Sequence, residues 1–361
     1  MTPYALIDLA TIAANYRFLC DKAGKARCGA AVKANAYGLG LVPVASALKN
    51  AGCTNFFTAH FSEALALRAH IKDGEIVVLH GLSKNDFAQA LAHNITPMLN
   101  HLGAVQEWGA FSRERGESLP AMIHLDTGMN RLGLSPAEQA HLAAHHDLLD
   151  GIEIKAWASH FACADEFDNP MTTQQRDRLN SILSQLPSAP ISLCNSSGLF
   201  WGEDYHFDLA RPGVALYGGN PTPHLANPMK AVMTLHSPIL QIRDVEAAMT
   251  VGYAASHSIK RKGRVATIAL GYADGYHRAL SNKGTVMIGQ HQAPLIGRVS
   301  MDLITLDVTD VPEAAAHVGA DVTLIGAHRT IDQAADEAGT ICYELLTSLG
   351  ERVRRDYLNA A

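Results

Sequence analysis

The chain has 361 residues, 48% hydrophobic, 18% charged and 6% aromatic, and its 29 basic against 35 acidic side chains leave a formal charge of −6. Such a composition belongs to a globular chain of roughly two domains, or to one α/β barrel with an appended domain, and excludes disorder and coiled coil. It also argues against a nucleic-acid footprint, which would need enough Lys and Arg to displace phosphate counterions.

The opening MTPYALIDLA carries an acid where a signal peptide would run apolar, and no stretch approaches the roughly 18 to 20 apolar residues of a membrane span. The chain is therefore expected in the cytoplasm, away from membranes. Short apolar runs then alternate with amphipathic stretches. In chain order the predicted strands are Ala30 to Gly38, Asn55 to His60, Ile76 to Gly81, Ile95 to Leu99, Ala121 to Gly128, Ile154 to Ala162, Ile191 to Gly198 and Phe207 to Gly218. Helical spacing fills the gaps, as in LVPVASALKNAG, stopped at Gly52, and in SEALALRAHIKDG. Eight βα units predict a (β/α)8 TIM-type barrel over residues 1–225. PTPHLANP, Pro221 to Pro228, is a turn-rich joint. Beyond it, runs such as RVATIALGY, GTVMIG and DVTLIG predict a mostly β C-terminal domain over 226–361.

The six cysteines are scattered without a C-x-x-C pair, so no zinc or other metal site is predicted. Lys260 to Arg264 and Arg352 to Arg355 read as solvated basic faces.

Chemistry in a parallel barrel gathers at the carboxyl ends of the strands. There the first run places Lys33, Asn35 and Tyr37 on one alternating face. A lysine in an apolar strand is costly unless paired or reacted, which suits a Schiff-base nucleophile. Later strand ends add Asp126 and Arg131, His160 and Asp165, Asn195, Ser196 and Ser197, then Arg211 and Gly213. The last two strands supply hydroxyl and N–H donors where barrels commonly hold phosphate.

On these residues the sequence resembles the alanine racemase family. AVKANAYGLG, LDTGMNRLG, SHFACAD, NSSG, RPGVALYG, VGYAAS, GYADG, GRVSMD and a Tyr-Glu near the C terminus follow in family order. The resemblance implies pyridoxal 5'-phosphate held covalently by Lys33, with Tyr37, Ser196, Gly213, Val214 and Tyr343 around its phosphate and Asn195 beside them. It implies Arg211 on the pyridine nitrogen and Arg131 on the phenolic oxygen. It further implies two bases, Lys33 and Tyr253, on opposite faces of a small amino-acid substrate, because inversion removes a proton from one face and returns it from the other. His160 and Arg211 would help Tyr253, while Met301 would contact the substrate carboxylate. Tyr253 and Met301 would come from a partner subunit, making a homodimer with composite sites. The implied activity is the interconversion of L- and D-alanine, with D-alanine supplied to the bacterial cell wall or, equally, used catabolically. A serine or broad-specificity racemase, or a non-catalytic pyridoxal-phosphate-binding protein, are the alternatives.

Two positions depart from the family. Leu39 replaces a usual histidine. His124 stands where many members carry a carboxylated lysine against the Arg131 counterpart, and this predicts that water, an anion or another acid positions Arg131. Arg278, Arg298, Asp165 and Ile341 resemble the family's substrate entryway.

Overall fold

The computed structural model describes residues 1–359. Its strands in chain order are β1 (Tyr4–Asp8), β2 (Arg27–Cys28), β3 (Ala30–Ala31), β4 (Asn55–Thr58), β5 (Glu75–Val78), β6 (Ile95–Leu99), β7 (Leu119–His124), β8 (Ile152–Ala158), β9 (Ile191–Ser192) and β10 (Leu209–Ala210). Strands β3 to β9 form one parallel sheet in sequence order. β10 pairs in parallel with β2, which runs into β3 after Gly29. Backbone bonds from Asp208 N to Ile191 O and from Arg211 N to Cys194 O tie β10 to β9 and close the ring. The expected eight-stranded barrel is thus present, with strands shorter than the apolar runs because each run ends in polar residues that turn away from the sheet.

Continuous apolar strands suit a sheet buried on both faces. Every residue of β6 is buried, as is every residue of β4. Helices such as Leu41–Asn50 and Phe61–His70 pack outside; Glu63 completes a capping box at the start of the second.

The C-terminal domain comprises β11 (Met233–Val245), β12 (Thr250–Val251), β13 (His257–Ser258), β14 (Gly263–Ile268), β15 (Thr285–Ile288), β16 (His291–Ile296), β17 (Ile304–Asp307), β18 (Asp321–Ile325) and β19 (Arg354–Leu358). The long β11, bulged between Ile239 and Gln241, pairs with both β18 and β14. This closes β14, β17, β16, β15, β18 and β11 into an antiparallel barrel. β1 joins β11 and β19 and so serves the second domain, although it opens the chain.

β19 also ties the domains together. Arg355 Nε donates to Gly38 O at 2.9 Å and Tyr357 Oη to Leu39 O at 3.1 Å, just beyond Lys33. The basic run at 352–355 is accordingly only partly solvated: Arg352 pairs with Asp274 and Asp302 at the surface, whereas Arg355 turns inward onto backbone carbonyls.

Candidate active site

The segment after β3 departs most from expectation. Alternation predicts a strand through Gly38, but Ala34, Asn35, Ala36 and Tyr37 all have φ between +52° and +55°. They form a turn of left-handed helix, with Ala36 N bonded to Val32 O and Gly38 N to Ala34 O. Left-handed backbone costs an L-residue roughly 1–2 kcal/mol, so four in succession need outside support. Glu63 supplies it, accepting from Ala34 N at 2.6 Å, Ala59 N at 2.9 Å and His60 N at 3.0 Å. Asn35 Oδ1 accepts from Leu41 N, so Asn35 is a cap and does not share a face with Lys33 and Tyr37.

The turn leaves Lys33 and Tyr37 on a cavity of about 770 Å³ at the carboxyl ends of the barrel strands. The same cavity is lined by His124, Arg131, His160, Asn195, Ser196, Arg211, Gly213, Val214, Ile341 and Tyr343. It therefore gathers most of the residues singled out in the sequence. Tyr253 and Met301, which are 69% and 53% exposed, do not line it. Asp165, Arg278 and Arg298 do not line it either, and Leu39 is buried behind it.

Burial sets the electrostatics. It lowers the Lys33 amine below the ordinary lysine range, with Arg131 and Arg211 adding to the shift and Glu63 opposing it. Arg211 is brought down to about 10 by burial and so stays charged at neutral pH. Its guanidinium is immobilised by Ser192 O at 2.7 Å and Ser159 O at 2.5 Å, with His160 Nδ1 at 3.3 Å. Burial, then the charge of Arg211, holds His160 well below the ordinary imidazole range.

At the other end of the cavity lies a set of neutral donors. Burial pushes the Tyr37 and Tyr343 phenols upward, so both keep their protons. Tyr37 stacks on Tyr217, whose hydroxyl donates to Ala31 O at 2.8 Å. Ser196 Oγ accepts from Gly213 N and Ala215 N and fixes the loop entering the turn at Val214–Tyr217. A Cβ at position 213 would overlap the Tyr37 hydroxyl, so glycine keeps that corner open. Neutral hydroxyls and a spare glycine corner fit a phosphate dianion, and a depressed lysine fits an aldehyde. The cavity thus fits pyridoxal phosphate.

Sequence reasoning had passed over Glu63, Ser159, Ser192, Tyr217 and Asn100, which act by holding others. Ser159 and Tyr217 stand inside SHFACAD and RPGVALYG and Glu63 inside SEALALRAHIKDG, but the holding role of each rests on contacts across the fold.

A parallel barrel with a lysine and an anion-accepting corner at its mouth, joined to an antiparallel β domain, suits a pyridoxal-phosphate-dependent enzyme. Residues 7–221 match the model of the alanine racemase N-terminal domain and residues 232–357 that of the alanine racemase C-terminal domain. The chain belongs to the alanine racemase family. It is 46% identical over 353 residues to a catabolic alanine racemase of Agrobacterium fabrum, covering 98% of this chain and 91% of that one. It is 43% identical to an alanine racemase of Rickettsia peacockii, with 98% of each chain covered. Among solved structures, the alanine racemase of Bartonella henselae with covalently bound pyridoxal phosphate superposes with a TM-score of 0.95 at 39% identity, over 99% of this chain and 100% of that chain.

Proposed function

We propose that this chain interconverts L- and D-alanine, using Lys33 on one face of the substrate and Tyr253 of a second copy on the other. The observation that carries the reading is the division of the site: Lys33 lies in the cavity, while Tyr253 and Met301 lie exposed on the C-terminal domain. A homodimer with composite sites brings the two sets together.

Lys33 would hold pyridoxal phosphate, with Tyr37, Ser196, Gly213, Val214 and Tyr343 at its phosphate, Asn195 nearby, Arg211 at its ring nitrogen and Arg131 at its phenolic oxygen. When bound, the cofactor supplies the electron sink that acidifies an amino acid's α-hydrogen. Lys33, with its lowered amine, takes or returns the proton at Cα from its own face. Tyr253 does the same from the far face. His160 accepts from Arg211 at Nδ1, which leaves Nε2–H as a donor that can steady the tyrosine's oxygen when it gives up its proton. Arg211 presents donors and no carboxylate, so it does not supply a proton acceptor at the ring nitrogen. Met301 would bind the substrate carboxylate through its backbone N–H.

The role proposed is D-alanine supply for the cell wall, in the cytoplasm. No helix among the described residues is long and apolar enough to cross a membrane, and the six cysteines are free, as in a reducing compartment.

The test is incubation of the loaded protein with L-alanine, L-serine or L-lysine in D₂O, reading chirality and α-deuterium together. Inversion of alanine with label uptake supports the reading. Preferential inversion of serine or lysine overturns the substrate, and bound cofactor without inversion overturns the two-base assignment. Full activity in a monomer produced by dilution overturns the composite site.

A further inference from the structure

Two of the free cysteines meet outside the cavity. Cys20 lies on the helix Leu9–Ala23, which packs on β2, and Cys28 ends that strand. Tyr16 stands one turn before Cys20 on the same helix face, and its hydroxyl donates to Cys28 O at 2.8 Å. The helix therefore crosses β2 at this point, after the chain has reversed at Gly24, where φ is +63°. Across the crossing the Cys20 and Cys28 thiols are hydrogen-bond partners. Cys28 is buried, whereas Cys20 is only partly buried, at the edge of the same core.

The two sulfurs have unlike roles. Tyr16 has one proton and gives it to Cys28 O, so the S–H of Cys28 is the donor that faces Cys20. Its other acceptor is Gly29 O at 3.7 Å, a long contact even for sulfur. The bond from Cys28 brings the Cys20 thiol down to about 7 against its partial burial, while the same bond and burial push Cys28 upward. At pH 7 about half of Cys20 is then thiolate, the nucleophilic form, and Cys28 keeps its proton. Burial raises Cys53, Cys194 and the partly exposed Cys163.

We propose that Cys20 and Cys28 form an oxidation site for hydroperoxides, in which Cys20 takes the oxidant and Cys28 closes a disulfide. The Cys20 thiolate attacks one peroxide oxygen; the O–O bond breaks, the leaving oxygen departs as hydroxide or alkoxide, and Cys20 becomes a sulfenic acid. The Cys28 sulfur then gives up its proton and displaces the sulfenic hydroxyl, so that an S–S bond forms and water leaves. The thiols lose two electrons and two protons, and the hydroperoxide is reduced to an alcohol, or to water, plus water. Cys28 thereby halts oxidation at a step that thiols reverse, before the irreversible sulfinic acid. The cross-link ties the helix to β2, which pairs with β10 at the seam of the barrel, where Cys28 stands opposite Ala210 beside Arg211. None of this depends on the cofactor reading.

The test uses the full chain loaded with pyridoxal phosphate, exposed at pH 7 to a small excess of hydrogen peroxide and mapped by peptide mass spectrometry without reduction. Trypsin cuts after Lys22, Lys25 and Arg27, so the two cysteines fall on separate peptides. The expected product is those two peptides joined, with the loss of two hydrogens, and separated again by dithiothreitol. Cys28→Ser keeps a donor beside Cys20 but has no sulfur to close the bond, and its product should shift to Cys20 sulfinic acid. Cys28→Ala also lacks the donor, and its Cys20 should be oxidised more slowly than in Cys28→Ser. Sulfinic acid at Cys20 in the wild-type chain, a disulfide between Cys28 and Cys53, or oxidation of Cys163 ahead of Cys20 would each overturn the proposal. The wild-type map decides the pairing even where a Cys28 variant folds poorly.

Discussion

Arg211 Nη2 lies 3.3 Å from His160 Nδ1, and because a guanidinium has only donors, the histidine must be the acceptor. A protonated His160 would lose that bond and place a second charge against the buried arginine. His160 is therefore neutral in the folded chain, and burial, with the charge of Arg211 adding to it, lowers His124 as well.

That neutrality fixes the sign of a pH effect. Their folded pKa values lie below the unfolded value of about 6.5, so between that value and the folded one the unfolded chain binds more protons and stability falls as pH falls. For His124, which titrates at about 4 when folded, the loss over the window is on the order of 3 kcal/mol. Urea unfolding of the cofactor-free chain at pH 7, 6 and 5 should show the decline, and His124→Gln should flatten it. A stability independent of pH over this window would contradict the neutral assignment.

Gly213 and Tyr37 form a second testable pair. Gly213→Ala places its Cβ on the phenol oxygen, and overpacking of this kind costs about 1–3 kcal/mol. Tyr37→Phe removes the nearest obstructing atom but leaves the ring, so the double variant should recover part of the lost stability. Additive losses in a double-mutant cycle would mean that the corner yields without the hydroxyl being displaced.

What the sequence disclosed was set by distance along the chain. The barrel was legible because each strand is an apolar run closed by turn residues, as in Ile95–Leu99, where the predicted limits and the observed ones coincide. Lys33, Arg131, His160, Ser196 and Arg211 were legible because a parallel barrel delivers all strand ends to one mouth. The turn after Val32 was misread, since period-two alternation in AVKANAY is equally what a compact turn shows when Lys33 and Tyr37 point one way. Its support comes from Glu63, about thirty positions on, through bonds no local pattern encodes. The membership of Tyr4–Asp8 in the second domain was hidden for the same reason, because its partners Met233 to His236 and Arg354 to Leu358 lie at the other end of the chain.

Glu63 follows from that argument as a stability prediction. Its two carboxylate oxygens accept from three backbone N–H groups. In Glu63→Gln one oxygen becomes a donor facing donors, leaving at least one N–H unpaired at a cost of about 1–3 kcal/mol. Thermal denaturation should show the loss, and cofactor affinity should fall with it because the released turn carries Lys33. An unchanged affinity would show that Lys33 is held without the left-handed turn.

The lysine itself allows the most direct chemical check. A primary amine attacks an aldehyde only when unprotonated, and burial has lowered the Lys33 pKa, with Arg131 and Arg211 adding to the shift. Covalent capture of pyridoxal phosphate should therefore speed up with rising pH and level off at a lower pH than for an exposed lysine. Borohydride reduction of the loaded protein followed by peptide mass spectrometry should find the added mass on Lys33. The exposed Lys84 and Lys262, 67% and 76% accessible and paired with Glu107 and Glu246, serve as internal controls. Arg131→Met should shift the levelling-off to higher pH by removing a positive charge near the amine, whereas Glu63→Gln should shift it lower by removing a negative one. A shift to lower pH in Arg131→Met, or to higher pH in Glu63→Gln, would show that the field at Lys33 has other sources.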